Sequence, residues 1–194
     1  MLRPALEGIR TELNAFLETK IANGNNGPIV RLMNIAGIDQ NGGTAPTDAV
    51  IMSLVNVEEE TTLKNGSIYK QPTISTVVRV NPPLFLNFYV LFAVNSTTEV
   101  TYLNALLLVS NIIAFFQRKA VFTHDNTPTL DPGIEKLVAE LYSANFEQLN
   151  HLWAMLGGKY MPSVLYRIRM LMIEDTESEP GSLVTSIELS SHLL

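Results

Sequence analysis

The chain has 194 residues, 46% of them hydrophobic and only 16% charged, with 13 basic against 19 acidic side chains and a formal charge of −6. That is enough apolar material for one full core, and on average such a surface repels a phosphate backbone, so general nucleic-acid binding is not expected. The absence of cysteine excludes disulfides, thiolate chemistry and a secreted disulfide scaffold.

The first segment places Leu2, Leu6, Ile9, Leu13 and Phe16 at steps of four, three, four and three, which predicts an amphipathic helix with its apolar stripe turned to the core. Glu7, Arg10, Glu12 and Glu18 interrupt that stretch, so it does not read as an export signal, and a cytosolic site of synthesis is expected. The helix should stop before Asn23-Gly24-Asn25-Asn26-Gly27-Pro28. A strand is predicted over Ile29 to Ala36, followed by a loop from Asp39 to Asp48 whose glycines and helix-disfavouring residues, Asn41 among them, suit a solvated arm for a partner.

Val50 to Val57 alternates and is rich in β-branched residues, so it is predicted to be a strand that leaves to solvent at Glu58-Glu59-Glu60. Asn65-Gly66 is a strong hairpin signal, and Ile74 to Val80 is the next strand, broken by Asn81-Pro82-Pro83. Leu84 to Val94 is nearly all apolar, as expected of a central strand covered on both faces. Thr101 to Gln117 is the second helix, with Leu103, Leu106, Leu107, Ile113 and Phe116 as core candidates and Arg118-Lys119 beside its C-terminal dipole. Val100 to Phe116 is the most membrane-like stretch, yet at about 17 residues, with Thr101, Asn104, Ser110 and Asn111, it is short and polar for a span needing about 20. A buried core helix is expected instead, without membrane insertion.

Ile134, Leu137, Val138, Leu141 and Tyr142 match helical spacing, but Pro132-Gly133 bounds a short segment, and periodicity alone leaves helix and strand open. Phe146 to Leu156 is predicted to be a helix with Phe146 and Trp153 in the core, stopped by Gly157-Gly158. Leu165 to Ile173 is predicted to be a strand with Arg167 and Arg169 on one face and Tyr166, Ile168, Met170 and Met172 on the other. Paired guanidinium groups suit carboxylates on a partner, and two surface arginines on a solvent-facing edge would give the same pattern. Beyond Ile173 the chain is an acidic linker and then LVTSIELSSHLL, a short strand or an unstructured end. The expected division is one domain over 1–173 and a linker with a C-terminal arm over 174–194.

Catalytic patterns are thin. His124, His151 and His192 lie in three contexts without a second ligand at metal spacing. His124 falls in a turn, and His151 is expected to be partly buried. Gly157-Gly158-Lys159 lacks the upstream glycine and the following Ser or Thr of a phosphate loop, and no nucleophile elbow or dinucleotide fingerprint occurs. No metal, cofactor or catalytic residue is expected. A mean hydropathy of +0.17 is high for a soluble monomer, so either the interior is large for the chain's size or apolar surface meets other subunits.

The segments LVNVEEETTLKN, NPPLFLNFYVLFAV, FFQRKAVF and FEQLNHLWAMLGGKYMPSVLYRIRMLMI resemble the cap, or tail-terminator, family of contractile injection systems, the phage-tail-like particles of the antifeeding-prophage and virulence-cassette type. The resemblance implies an α/β (α+β) fold, a mixed, largely antiparallel sheet packed by amphipathic helices with a C-terminal arm. It also implies that Leu137 to Tyr142 is a strand. It further implies a non-enzymatic ring, six-fold by family likeness, that ends the inner tube and the sheath of a released or anchored particle. Expected partners are then further copies of the chain, the tube protein and the sheath protein. On that reading Asp39, Asn41 and Asp48 of the loop, Ser182 and Ile187 of the arm, and Arg167 and Arg169 are candidate interface residues. Another tail connector of the same particle, or a small cytosolic α/β ligand-binding protein or enzyme, is the alternative.

Overall fold

The computed structural model describes residues 2–21, 29–37, 49–60, 69–73, 76–79, 85–96, 98–172 and 179–181; for residues 37, 69–73, 76–79, 171–172 and 179–181 it describes the backbone alone. The first helix, α1 (Leu2–Lys20), buries Ala5, Leu6, Gly8, Ile9, Leu13 and Leu17, the stripe that the spacing predicts, while Leu2 and Phe16 pack partly buried at its margin. Asn14 adds a polar tie. Its Oδ1 accepts from the backbone N–H of Ile29 and Val30 at 2.8 and 3.1 Å, holding the start of strand β1 (Val30–Leu32) against the helix. The strand predicted over Ile29 to Ala36 is shorter than expected, because the chain turns into a 3₁₀ helix at Ile35–Gly37.

The main sheet has six strands in the order β1-β2-β5-β8-β7-β6, where β2 is Val50–Glu59, β5 Phe85–Val94, β6 Val121–Thr123, β7 Ile134–Leu141 and β8 Ser163–Met172. Among the described residues β1 and β2 pair in parallel and the other ladders of this sheet are antiparallel. Glu58 and Glu59 stay within β2, whose register slips between Leu54 and Asn56. A second sheet joins β3 (Tyr69–Thr73), β4 (Thr76–Arg79) and β9 (Glu179–Gly181). β3 and β4 pair antiparallel, with Thr73 opposite Thr76, and β9 is drawn from the stretch expected to be linker. The loop 39–48, Asn65-Gly66, Asn81-Pro82-Pro83, the residues 174–178 and the arm from Ser182 lie outside the described residues.

The central strand is apolar for the reason its composition suggests. Phe88, Val90, Phe92 and Val94 face α1 and the second helix, α2 (Glu99–Arg118), in the larger core. Leu91 and Ala93 face the opposite side, where Ile35, Ile51, Trp153 and Met161 form a smaller cluster under α3 (Phe146–Met155).

The described structure corrects the core assignment of α2. The helix is capped by Thr98 and Thr101 in a reciprocal box, but it buries Ala105, Leu108, Ile112, Phe115 and Phe116, leaving Leu103, Leu106, Leu107 and Ile113 exposed. The polar residues of the helix, Thr101, Asn104, Ser110, Asn111 and Gln117, do not gather on one side, so its sequence gives little azimuthal signal and the neighbours choose its inner face. Lys119 closes its end by donating to Glu12 Oε2 and the Asn126 carbonyl, both at 2.7 Å.

β7 is a strand, and its helical spacing has a physical cause. The ladder to β8 shifts between Ile134 and Lys136, so Ile134 and Leu137, three apart, both point into the core. A bulge mimics a helical step. α3 begins with a capping box between Asn145 and Gln148 and ends as a Schellman turn, in which Gly158 N–H donates to the Trp153 carbonyl at 2.7 Å. Gly157 and Gly158 sit at φ 109° and 77°, which only glycine adopts without strain. Trp153 is buried, but Phe146 is 92% exposed. The small cluster engages α3 only from Leu149 onward, so the first turn carries Phe146 past it.

Candidate functional site

Strand alternation sends one set of β5, β7 and β8 side chains away from α1 and α2, and beyond the patch covered by α3 this face is polar. Tyr166, Ile168 and Met170 point into the core while Arg167 and Arg169 point out, as the sequence predicts. The register sets Glu140 of β7 opposite Arg167. Arg167 donates to Glu140 Oε2 at 2.6 Å, and Arg169 donates to the other oxygen. The carboxylate that this arginine pair meets is therefore in the same chain. Hydrogen bonding from Arg167, reinforced by the charges of both arginines, holds the Glu140 carboxyl below its ordinary value against a smaller upward push from burial. Alongside, Tyr89 donates to Glu58 Oε2 at 3.1 Å and stacks edge-on with Tyr142 at 5.1 Å; burial first, then Glu58, raises its phenol.

Glu140 is the residue that sequence reading missed. Reading 134–141 as a strand from the outset would have exposed it, because alternation then places one carboxylate beside two guanidiniums. Asp39, Asn41, Asp48, Ser182 and Ile187 lie outside the described residues.

The Glu140 pair yields a pH prediction. Its depressed pKa means that the stabilisation is present above the unfolded-state value near 4.5 and is lost as pH falls through the lower folded-state value. The side chains involved are 33–45% exposed, so solvent screening limits Glu140→Gln to a cost of about 0.5–1 kcal/mol at pH 7. Urea unfolding of both proteins from pH 7 to pH 3 should show that difference closing at the acid end. A difference independent of pH would contradict the assignment.

A recess of about 160 Å³ opens beside Arg169, lined also by Glu60, Asn87, Lys136 and apolar side chains. It is smaller than the usual ligand cleft of about 300–1,000 Å³. Asn87 Nδ2 donates to Glu60 Oε2 at 2.9 Å. Among the described residues there is no group of three or more His, Asp or Glu side chains placed to hold a metal. His124 is exposed in its turn and His151 is exposed on α3, not partly buried as expected; His192 lies outside the described residues.

The larger feature is apolar. α2 is long and apolar enough to cross a membrane by length and composition, yet one face of it is packed into the core, so it is neither the wholly buried helix expected nor one bare on all sides. Its outer face shows Val100, Leu103 and Leu107 at 69%, 60% and 53% exposure, with Tyr102, Leu106 and Ile113 beside them. Between Glu99 and Arg118 the helix has no charged residue. On the opposite side of the sheet α3 and the turn after it expose Phe146, Met155 and Tyr160. Large apolar side chains left exposed in this number on one helix make its outer face a candidate docking surface.

Residues 6–186 match the Pvc16 N-terminal domain family. Curated protein sequences return no match. Among solved structures, the chain is similar to a sheath/tube terminator of an extracellular contractile injection system, the PVC, in its extended state, with a TM-score of 0.61 and 11% identity, covering 100% of this chain and 64% of that one. It is likewise similar to the tube-terminating cap of the anti-feeding prophage, with a TM-score of 0.59 and 12% identity, covering 96% of this chain and 60% of that one. The chain thus spans less than two thirds of the length of either structure. The shared fold agrees with the mixed, largely antiparallel sheet and packed helices expected from the sequence.

Proposed function

Because this chain belongs to the Pvc16 N-terminal domain family, we propose that it is a structural cap that ends the inner tube and the contractile sheath of an injection particle at the end away from the baseplate. The supporting observation is the uncharged outer face of α2, large apolar side chains left bare on an otherwise well-packed subunit. Such a face is costly in water and suits a component that works only when assembled. Its partners are copies of itself in a ring, six by likeness to the family, together with the tube and sheath proteins. The work is mechanical. No catalytic step, metal or cofactor is assigned.

A tube grows because each ring presents the surface that the next one needs, a heterologous contact that does not close on itself along the axis. A terminator reproduces the lower surface of that repeat and omits the upper one. The loop 39–48 and the arm from Ser182, including Ile187, supply further contacts in this reading, as do the parts of Arg167 and Arg169 left exposed beside Glu140. The subunit is made in the cytoplasm and carried into the particle.

The test is electron microscopy of particles assembled with and without the protein. The expected result is tubes of uncontrolled length or detached sheath without it, rescue on adding it back, and label at the baseplate-distal end. Particles of normal length and integrity in its absence would overturn the proposal.

A further inference from the structure

The six-stranded sheet ends at β6, a short edge strand whose outward backbone is largely occupied from within the chain. In the ladder to β7, Ala139 N–H donates to the Ala120 carbonyl at 2.8 Å, so alternation turns Phe122 to β7 as well and points the backbone groups of Val121 and Thr123 away from the sheet. Such an edge is a template for another chain, because its N–H and carbonyl groups are left open. Here the side chain of Asn126 takes that place. Its Nδ2 donates to the Val121 carbonyl at 2.9 Å, and its Oδ1 accepts from Thr123 N–H at 3.0 Å. The Thr123 carbonyl accepts from the N–H groups of Asn126 and Thr127 at 3.2 and 2.8 Å.

An amide that donates to one carbonyl and accepts from the N–H two residues on copies what a residue of an added parallel strand would do. Its orientation is held from the other side too: Thr127, fully buried, donates its hydroxyl to Asn126 Oδ1 at 2.8 Å. A lysine often blunts an edge, but Lys119, just before β6, is turned to Glu12 and to the Asn126 carbonyl. Asn126 and Val121 are both exposed, so without the amide this edge would face water. The opposite edge of the sheet is closed in a related way, with Asn14 Oδ1 accepting from Val30 N–H and Val30 wholly buried.

We propose that Asn126 guards the β6 edge: its side chain stands in for a strand and prevents the β6 of a second copy from pairing there. In the purified protein a second copy supplies the same open strand, and β6 meeting β6 closes as a two-fold pair. Contacts with neighbours in an assembly are then left to the faces of the sheet and to other parts of the chain. The inference is independent of the capping proposal, which stands or falls on particle length in the absence of the protein.

The test uses the full chain with Asn126→Ala, alone and combined with Val121→Lys. Asn126→Ala should raise the average mass in solution above the parent's as concentration rises, approaching a doubling. The Thr123 amide, slow to exchange in the parent, should exchange faster in the dilute variant. A lysine on the opened edge should return the mass to the parent's, because a charge there resists pairing while the lost turn bonds stay lost. Asn126→Ser, which suits a turn but is too short to span both groups, replaces the alanine variant if the melting curve shows that one unfolded. A folded Asn126 variant that keeps the parent's mass at every concentration overturns the guard. So does association that persists with Val121→Lys, since it would come from a loosened turn and not from the edge.

Discussion

Phe92→Ala is expected to lower the free energy of unfolding by about 3–5 kcal/mol, a large part of the roughly 5–15 kcal/mol that holds a domain together. Phe92 is fully buried in the central strand, where its ring meets Phe116 of α2 at 5.4 Å and Tyr166 of β8 at 6.0 Å. Phe116 and Tyr166 are themselves only 4.2 Å apart. The substitution therefore opens a cavity where helix, central strand and neighbouring strand converge, and no one of them can close it by moving alone. For a chain of this length the midpoint of thermal unfolding should fall by on the order of 10 °C. Urea or thermal unfolding checks it. A cost below about 1 kcal/mol would show that this aromatic junction is not the core of the fold.

Trp153→Ala should cost about 3 kcal/mol or more, while Phe146→Ala, seven residues away on the same helix, should change stability by no more than about 0.5 kcal/mol. Spacing alone puts both side chains in the core; burial separates them. Trp153 is the side chain of α3 that is buried, packing with Ile51, Leu91, Ala93 and Met161. Its loss should also release α3 from the sheet, seen as faster amide exchange in residues 146–155 than in β5. Trp153→Phe gives a sharper check. It keeps most of the apolar volume and removes an indole N–H that is buried without a partner among the described residues, so its cost should stay below about 1.5 kcal/mol. Equal costs for Trp153→Ala and Phe146→Ala would contradict this account of how α3 is held.

Much of the architecture was legible because short-range rules decide it. The stripe of α1 appears in the spacing of Leu6, Ile9 and Leu13, the central strand in the run of Phe85 to Val94, apolar but for Asn87 and Tyr89, and the end of α3 in two glycines that can take positive φ. Two readings failed where a rule needed a neighbour to complete it, and a third stayed open on spacing alone. The run Ile134 to Tyr142 matched helical spacing because a bulge, a property of the pairing with β8, shifted its phase, and the strand that the family resemblance implied is observed over Ile134–Leu141. Leu103, Leu106, Leu107 and Ile113 looked like core because the apolar residues of α2 are spread around the helix and its polar ones mark no single outer side. Phe146 has the right azimuth and lies past the end of the cluster that α3 covers.

The candidate site divides in the same way. That Arg167 and Arg169 share a face followed from alternation, but their common partner did not, because Glu140 is 27 residues away for Arg167 and reaches it only through strand register. By itself the sequence determined a chain without cysteine, with little charge and with a high share of apolar side chains, together with the class of most of its helices and strands. Only the tertiary structure decided which apolar residues are left exposed, most of them along the outer face of α2. Periodicity fixes the angle at which a side chain leaves its own element, whereas exposure depends on what other elements place beneath it.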